Sequence, residues 1–143
     1  MTRRAFDSVS VGDLLPAAIV PLERFELIRY AGVSGDLNPI HWDDSIAHQI
    51  GLDGAVAHGM LTMGIGGGFI NEWVDDPSAM LEINVRFTSP VYVPAQLDGP
   101  AEIEFEGRVK SLDAEAKTAV IAIVARSQGK KIFGRATATV QLA

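Results

Sequence analysis

The chain contains no cysteine, which removes disulfides, thiolate nucleophiles and sulfur-ligated metals together. Its stability must come from a packed core. A long uninterrupted apolar run is also missing: residues 14–22 are broken by Pro16 and Pro21 and follow Asp7 and Asp13. That stretch is neither a signal peptide nor a membrane span, and a cytoplasmic location is the expectation. No low-complexity tract suggests disorder, and 48% apolar with 21% charged residues is ordinary globular composition. At 143 residues, one domain spanning 1–143 is expected.

A general excess of positive charge is absent as well. The formal charge is −6, with 4 basic and 10 acidic side chains in residues 1–75 and 8 of each in residues 76–143. This argues against nucleic acid as a partner, which selects a basic face. Arg86, Arg108, Lys110, Arg126, Lys130, Lys131 and Arg135 leave two readings of the second half. They form either a local patch for a phosphate-bearing ligand or acidic carrier, or the solvated face of a sheet.

What is present begins with period-two alternation in residues 82–87, 101–106, 118–125 and 131–142, predicting four antiparallel strands. Residues 10–20 supply a further candidate strand, 22–33 a short helix and 43–50 a second helical piece. Residues 60–74 predict a long helix with apolar side chains around nearly its whole circumference, hence a buried one. Gly64, Gly66, Gly67 and Gly68 lie in its middle, each costing roughly 1 kcal/mol relative to alanine. Close packing against a neighbour is the expected reason. The glycine run lies inside a helix and has the wrong spacing for a nucleotide-binding fingerprint. The order of elements is α+β, with helices packed on one face of an antiparallel sheet.

The stretch richest in chemistry is Ser34-Gly35-Asp36-Leu37-Asn38-Pro39-Ile40-His41. Gly35 permits unusual backbone angles and Pro39 holds Asn38 out of the helical region, so the run reads as a shaped loop. Such a loop can turn Asp36 and His41 to one point, as acid/base chemistry requires. Of the three histidines, His41 combined with Asp43 or His58 has no recognised metal spacing, and neither a metal nor a cofactor is expected. A serine nucleophile is disfavoured because Ser34 lacks the glycine two places on that a nucleophile elbow uses. His58-Gly59-Met60 directly precedes the long helix, placing the Gly59 amide at the positive end of its dipole, where it can serve as an oxyanion donor.

Asp36-Leu37-Asn38-Pro39-Ile40-His41-Trp42-Asp43 followed by His58-Gly59-Met60 resembles the signature of the MaoC-like, (R)-specific enoyl hydratases of the hot-dog fold. Tyr30 to Gly35, the Met60 to Gly68 run and residues 130–135 are similar to the HadB-type catalytic subunit of actinobacterial (3R)-hydroxyacyl-carrier-protein dehydratases. The resemblance implies a long central helix wrapped by a curved antiparallel sheet. It implies Asp36 and His41 as the catalytic pair, Asn38 as the residue orienting their loop and Gly59 as the oxyanion amide. It also implies an acyl thioester substrate, on acyl carrier protein or coenzyme A, and a hot-dog dimer. The dimer would be hetero, with an A-type or C-type subunit, or homo.

The activity so implied is (3R)-hydroxyacyl-thioester dehydration or trans-2-enoyl hydration, in long-chain elongation of the mycolic acid type. Alternatives are an enoyl-CoA hydratase of degradation or polyhydroxyalkanoate supply, and a non-catalytic acyl-binding subunit. A hot-dog thioesterase is disfavoured, having no need of Asp-x-Asn-Pro-x-His. The individual proton roles of Asp36 and His41 stay open. One departure stands out: by motif offset, Gly67 occupies the place of a helix serine that supports the aspartate in some members.

Overall fold

The computed structural model describes residues 2–143. Three α-helices occupy the first half: α1 (Arg24–Ser34), α2 (Asp44–Gln49) and α3 (Gly59–Val74). The strands are β1 (Ala18–Leu22), β2 (Met80–Phe87), β3 (Ala101–Asp113), β4 (Thr118–Ser127), β5 (Lys130–Lys131) and β6 (Phe133–Gln141). They form one antiparallel sheet in the order β1-β3-β4-β6-β2, with β5 paired to β4. The sheet packs its apolar face on α3 through Phe69, Phe105 and Phe133. This is the hot-dog arrangement of α+β class.

Alternation dictates the strands, and three departures from the expected bounds have local reasons. β3 runs to 13 residues, well beyond the expected 101–106. Its Gly107 marks a close approach, since a Cβ there would lie 2.8 Å from Leu15 Cδ2 and 3.2 Å from Phe69 Cε1. A register shift between Val109 and Ser111 then bends the strand. The strand expected at 10–20 is displaced towards its end: Gly12 turns the chain at φ +95°, Leu14 makes an isolated bridge to Arg108, and the continuous ladder begins at Ala18. Pro21 is tolerated because β1 is an edge strand. The run expected at 131–142 is divided, since Ile132 leaves the ladder to accept a hydrogen bond from the Thr88 N–H.

α3 is not buried all round. Met60, Gly64, Gly68 and Glu72, spaced by four, form an exposed stripe, while Thr62, Gly66, Gly67, Phe69, Ile70, Trp73 and Val74 are buried. Close packing accounts for Gly66, where a Cβ would meet Phe105 and Phe133 at 3.4 Å. Among the described residues nothing lies within 4 Å of a Cβ at Gly64 or Gly68, which corrects the expectation for those two.

On the outer face of β3, Glu102, Glu104 and Glu106 precede Arg108 and Lys110. Glu104 registers against Arg126, and Arg126 Nη1 lies 3.5 Å from Glu106 Oε2. The basic residues of β3 and β4 thus belong to a mixed-charge, solvated face.

Candidate active site

The segment after α1 is built by local turn chemistry. Gly35 closes α1 in the left-handed conformation, φ +76°, and its N–H donates to the Ala31 carbonyl at 3.0 Å. Asn38 sits at φ −55°, ψ 122° and its side-chain oxygen accepts from the Ile40 N–H at 3.2 Å. Pro39 then opens a single 3-10 turn, Pro39–His41, inside the expected loop. Trp42 Nε1 donates to the Leu37 carbonyl at 3.3 Å, bracing the loop across its width. Asp43 is occupied elsewhere: its carboxylate caps α2, accepting from the Ser45 hydroxyl at 2.6 Å and the Ser45 and Ile46 amides. The Ser45 hydroxyl is the main reason its pKa lies below the ordinary carboxylate value.

The turn delivers His41 onto an extended segment, residues 55–58. The Val56 N–H donates to the Ile40 carbonyl at 3.1 Å, and the Val56 carbonyl faces His41 Nδ1 at 2.7 Å. A carbonyl only accepts, so Nδ1 carries the proton and Nε2 of the neutral ring presents its lone pair. Nε2 lies 3.6 Å from Asp36 Oδ2, too long for a direct bond and suited to a shared water. His41 is buried, whereas the Asp36 side chain is 53% exposed. Asp36 Oδ1 accepts from the Asn38 N–H at 3.2 Å.

Residues 55–58 are pinned from the other side by a network the sequence did not reveal. Arg24 forms a bidentate pair with Asp44 at 3.0 and 3.1 Å and donates to the Val93 carbonyl at 2.6 Å. Asp44 Oδ1 also accepts from the Ala55 N–H at 2.8 Å. Arg24 holds the Asp44 carboxyl below its ordinary pKa, and the Ala55 amide adds to the effect. α1, α2 and the extended segment are thereby fixed in one frame.

Gly59 opens α3, which has no side-chain cap at its N-terminus. Among the described residues no acceptor pairs with the Gly59 N–H, leaving it free at the positive end of a 16-residue helix. A side chain at Gly59 would crowd the Phe87 ring at 3.3 Å. A pocket of about 260 Å³ adjoins it, lined by Ala57, Gly59, Thr62, Phe87, Val91 and Ile132 among others. Asp36 and His41 lie outside that lining.

His58, which the sequence offers as part of the His58-Gly59-Met60 run and as an alternative metal partner of His41 but with no catalytic role, links the two halves. Its ring stacks on His41 at 3.6 Å, and its Nε2 lies 3.2 Å from the Asp36 carbonyl. The ligand-type atoms of Asp36, His41 and His58 fall within 4.8 Å of one another. Hydrogen bonding explains that gathering. His41 Nδ1 and His58 Nε2 are both committed to carbonyls, so only one imidazole nitrogen and one carboxylate face the open side. The position of the expected helix serine, Gly67, faces the Met80 side chain, whose Cε would lie 3.7 Å from a Cβ there.

Comparison with known proteins identifies relatives of the whole domain. The family described as MaoC like domain matches residues 12–125. The 3-hydroxyacyl-thioester dehydratase X of Mycobacterium tuberculosis is 38% identical over 80 residues, covering 56% of this chain and 28% of that protein. A solved MaoC-like dehydratase superposes with a TM-score of 0.95 at 48% identity, over 99% of this chain and 43% of the other. The HadBC (3R-hydroxyacyl-ACP dehydratase) complex of M. tuberculosis superposes with a TM-score of 0.70 at 13% identity, over 92% of this chain and 96% of that one. That likeness is one of fold. The chain spans less than half the length of the dehydratase X and of the solved MaoC-like dehydratase.

Proposed function

The chain belongs to the MaoC-like family, and on that premise we propose that it interconverts trans-2-enoyl and (3R)-3-hydroxyacyl thioesters by adding or removing water. The observation that carries this reading is the fixed tautomer of His41. Its Nδ1–H is spent on Val56, and its lone pair lies 3.6 Å from the Asp36 carboxylate, where one water can bond to both.

In hydration, a water between Asp36 Oδ2 and His41 Nε2 loses a proton to Nε2 while its oxygen bonds to C3. The electron pair of the C2–C3 double bond moves towards the thioester, whose oxygen gains negative charge. The Gly59 N–H is the donor for that oxygen, a contribution typically of about 3–4 kcal/mol. The proton on His41 returns to C2 and the ring is neutral again. Asp36, as a carboxylate, orients the water and stabilises the imidazolium formed in passing. Dehydration is the same path reversed. Asn38 holds the loop in shape through Ile40 and through the Asp36 carboxylate.

For the carrier we propose acyl carrier protein, in long-chain elongation of the mycolic acid type, with coenzyme A as the alternative. We propose a hot-dog dimer, hetero with an A-type or C-type subunit or homo, a reading supported by the exposure of the Asp36 side chain and of the pocket beside Gly59 on this chain's surface.

Loss of conjugated enoyl-thioester absorbance tests the reaction, with the chain alone and co-expressed with a neighbouring small hot-dog protein. Asp36→Asn and His41→Ala should each lower turnover about a hundredfold to ten-thousandfold while the fold survives. Full activity in both would remove the catalytic assignment. The ratio of kcat/KM on carrier-protein and coenzyme A forms of one enoyl chain decides the carrier.

A further inference from the structure

We propose that His58 is the positioning residue of this site. Its Nε2–H fixes the main chain of Asp36 while its ring face fixes the plane of His41. The proposal rests on the hydratase reading above.

His58 is 2% exposed and precedes α3, yet its side chain does not cap that helix. The ring is committed instead to three neighbours. Nε2 lies 3.2 Å from the Asp36 carbonyl, the face stacks on His41 at 3.6 Å and 20°, and Tyr30 meets it edge-on at 4.9 Å. Because a carbonyl only accepts, Nε2 carries the proton, and the buried Nδ1, which has no partner among the described residues, holds a lone pair. Burial lowers the pKa of His58, the Asp36 carbonyl opposes that, and the nearby His41 lowers it further. The ring is therefore a neutral donor.

Neutrality matters to the chemistry. Two imidazoles in face contact tolerate one positive charge far better than two, so an uncharged His58 leaves His41 able to accept the proton from water. The donor matters as well. The Asp36 carboxylate is half exposed and, among the described residues, its polar partners are the Asn38 N–H and His41. A restraint on its main chain is what orients it, given that Gly67 offers no side chain. His58 thus performs from below the loop the service expected of a helix serine.

His58→Phe keeps a flat buried ring and removes the donor, whereas His58→Gln places an amide N–H near the position of Nε2. The expected result is a kcat about 10- to 100-fold lower in the Phe variant, with KM within about twofold of the parent because the thioester sites are untouched. The Gln variant should recover at least about tenfold of that loss. Wild-type kcat in the Phe variant overturns the proposal, as does a fall in both variants that only tracks the folded fraction.

Imidazole nitrogen NMR on the full chain reads the same point without turnover. His58 should be the Nε2–H tautomer and should take up its second proton at a lower pH than a free imidazole; an Nδ1–H tautomer, or a titration at or above that of a free imidazole, overturns the proposal. Wild-type inactivity on every enoyl thioester, with that NMR signature intact, would instead count against the hydratase reading.

Discussion

One hydrogen bond decides which nitrogen of His41 is available. The Val56 carbonyl takes Nδ1–H at 2.7 Å, so the lone pair faces Asp36. A second, from His58 Nε2–H to the Asp36 carbonyl, holds the main chain of Asp36 in place. The lowered pKa of His58 has a consequence for stability. As pH falls, the unfolded chain takes up this proton first, near the ordinary value of about 6.5, and the folded chain resists it. Stability from the neutral His58 is therefore complete above about pH 6.5 and is lost as pH falls from there towards the lower folded value. Urea midpoints should decline between neutral and mildly acidic pH, and His58→Gln should flatten the decline. An equal slope in parent and variant would place the titration elsewhere. Asp36, Asn38 and His41 were legible in the sequence because Gly35 and Pro39 act on adjacent residues. His58 was not, because its contacts lie 17 and 22 residues away.

At the scale of elements, α3 combines two requirements on two faces. Its buried side needs a small residue at Gly66 because two phenyl rings close on it at 3.4 Å, and its N-terminus must stay uncapped beside the pocket. Gly64 and Gly68 serve neither requirement within this chain. Gly64→Ala and Gly68→Ala should each raise stability by about 0.5–1 kcal/mol, seen as a higher melting temperature with unchanged turnover. Gly66→Ala should gain less, since the added methyl meets both rings. A fall in stability at Gly64 or Gly68 would instead reveal a partner subunit packed on the stripe. The helix and strands were readable from periodicity, but the exposed stripe was not. Glycine has no hydropathic signature to mark a solvent face, and Met60 reads as apolar wherever it lies.

Across the whole molecule, residues that are distant in sequence lock the fold's rim. The Arg4 N–H donates to the Val74 carbonyl at 2.9 Å, the Ala143 N–H to the Arg4 carbonyl at 2.9 Å and the Phe6 N–H to the Ala143 carbonyl at 3.0 Å. Arg4 Nε donates to the Trp73 carbonyl and its guanidinium lies 4.7 Å from the Trp73 ring centroid. Arg3 pairs with Asp76 at 2.8 Å. The Ser78 hydroxyl and amide, then Arg3, hold the Asp76 carboxyl down at about 2. A depressed carboxyl contributes above its unfolded value of about 3.8, and that contribution is lost as pH falls towards 2. Protection of the Arg4 and Phe6 amides, relative to the intrinsic exchange rate at each pH, should fall in that acidic window in the parent, and already at neutral pH in Asp76→Asn. Unchanged exchange in the variant would show that the main-chain bonds suffice alone.

The sequence by itself determined the period-two strands, the long helix, the turn that presents Asp36 and His41, and the free amide at Gly59. Each depends on residues a few positions apart, whose dihedral preferences and alternation act locally. Only the tertiary structure decided the pairing of His41 with Val56, the stack of His58, the Arg24–Asp44 frame and which face of α3 meets water. Those depend on chain segments brought together by burial of a shared core, and no spacing along the chain encodes the distance between two rings that meet across it.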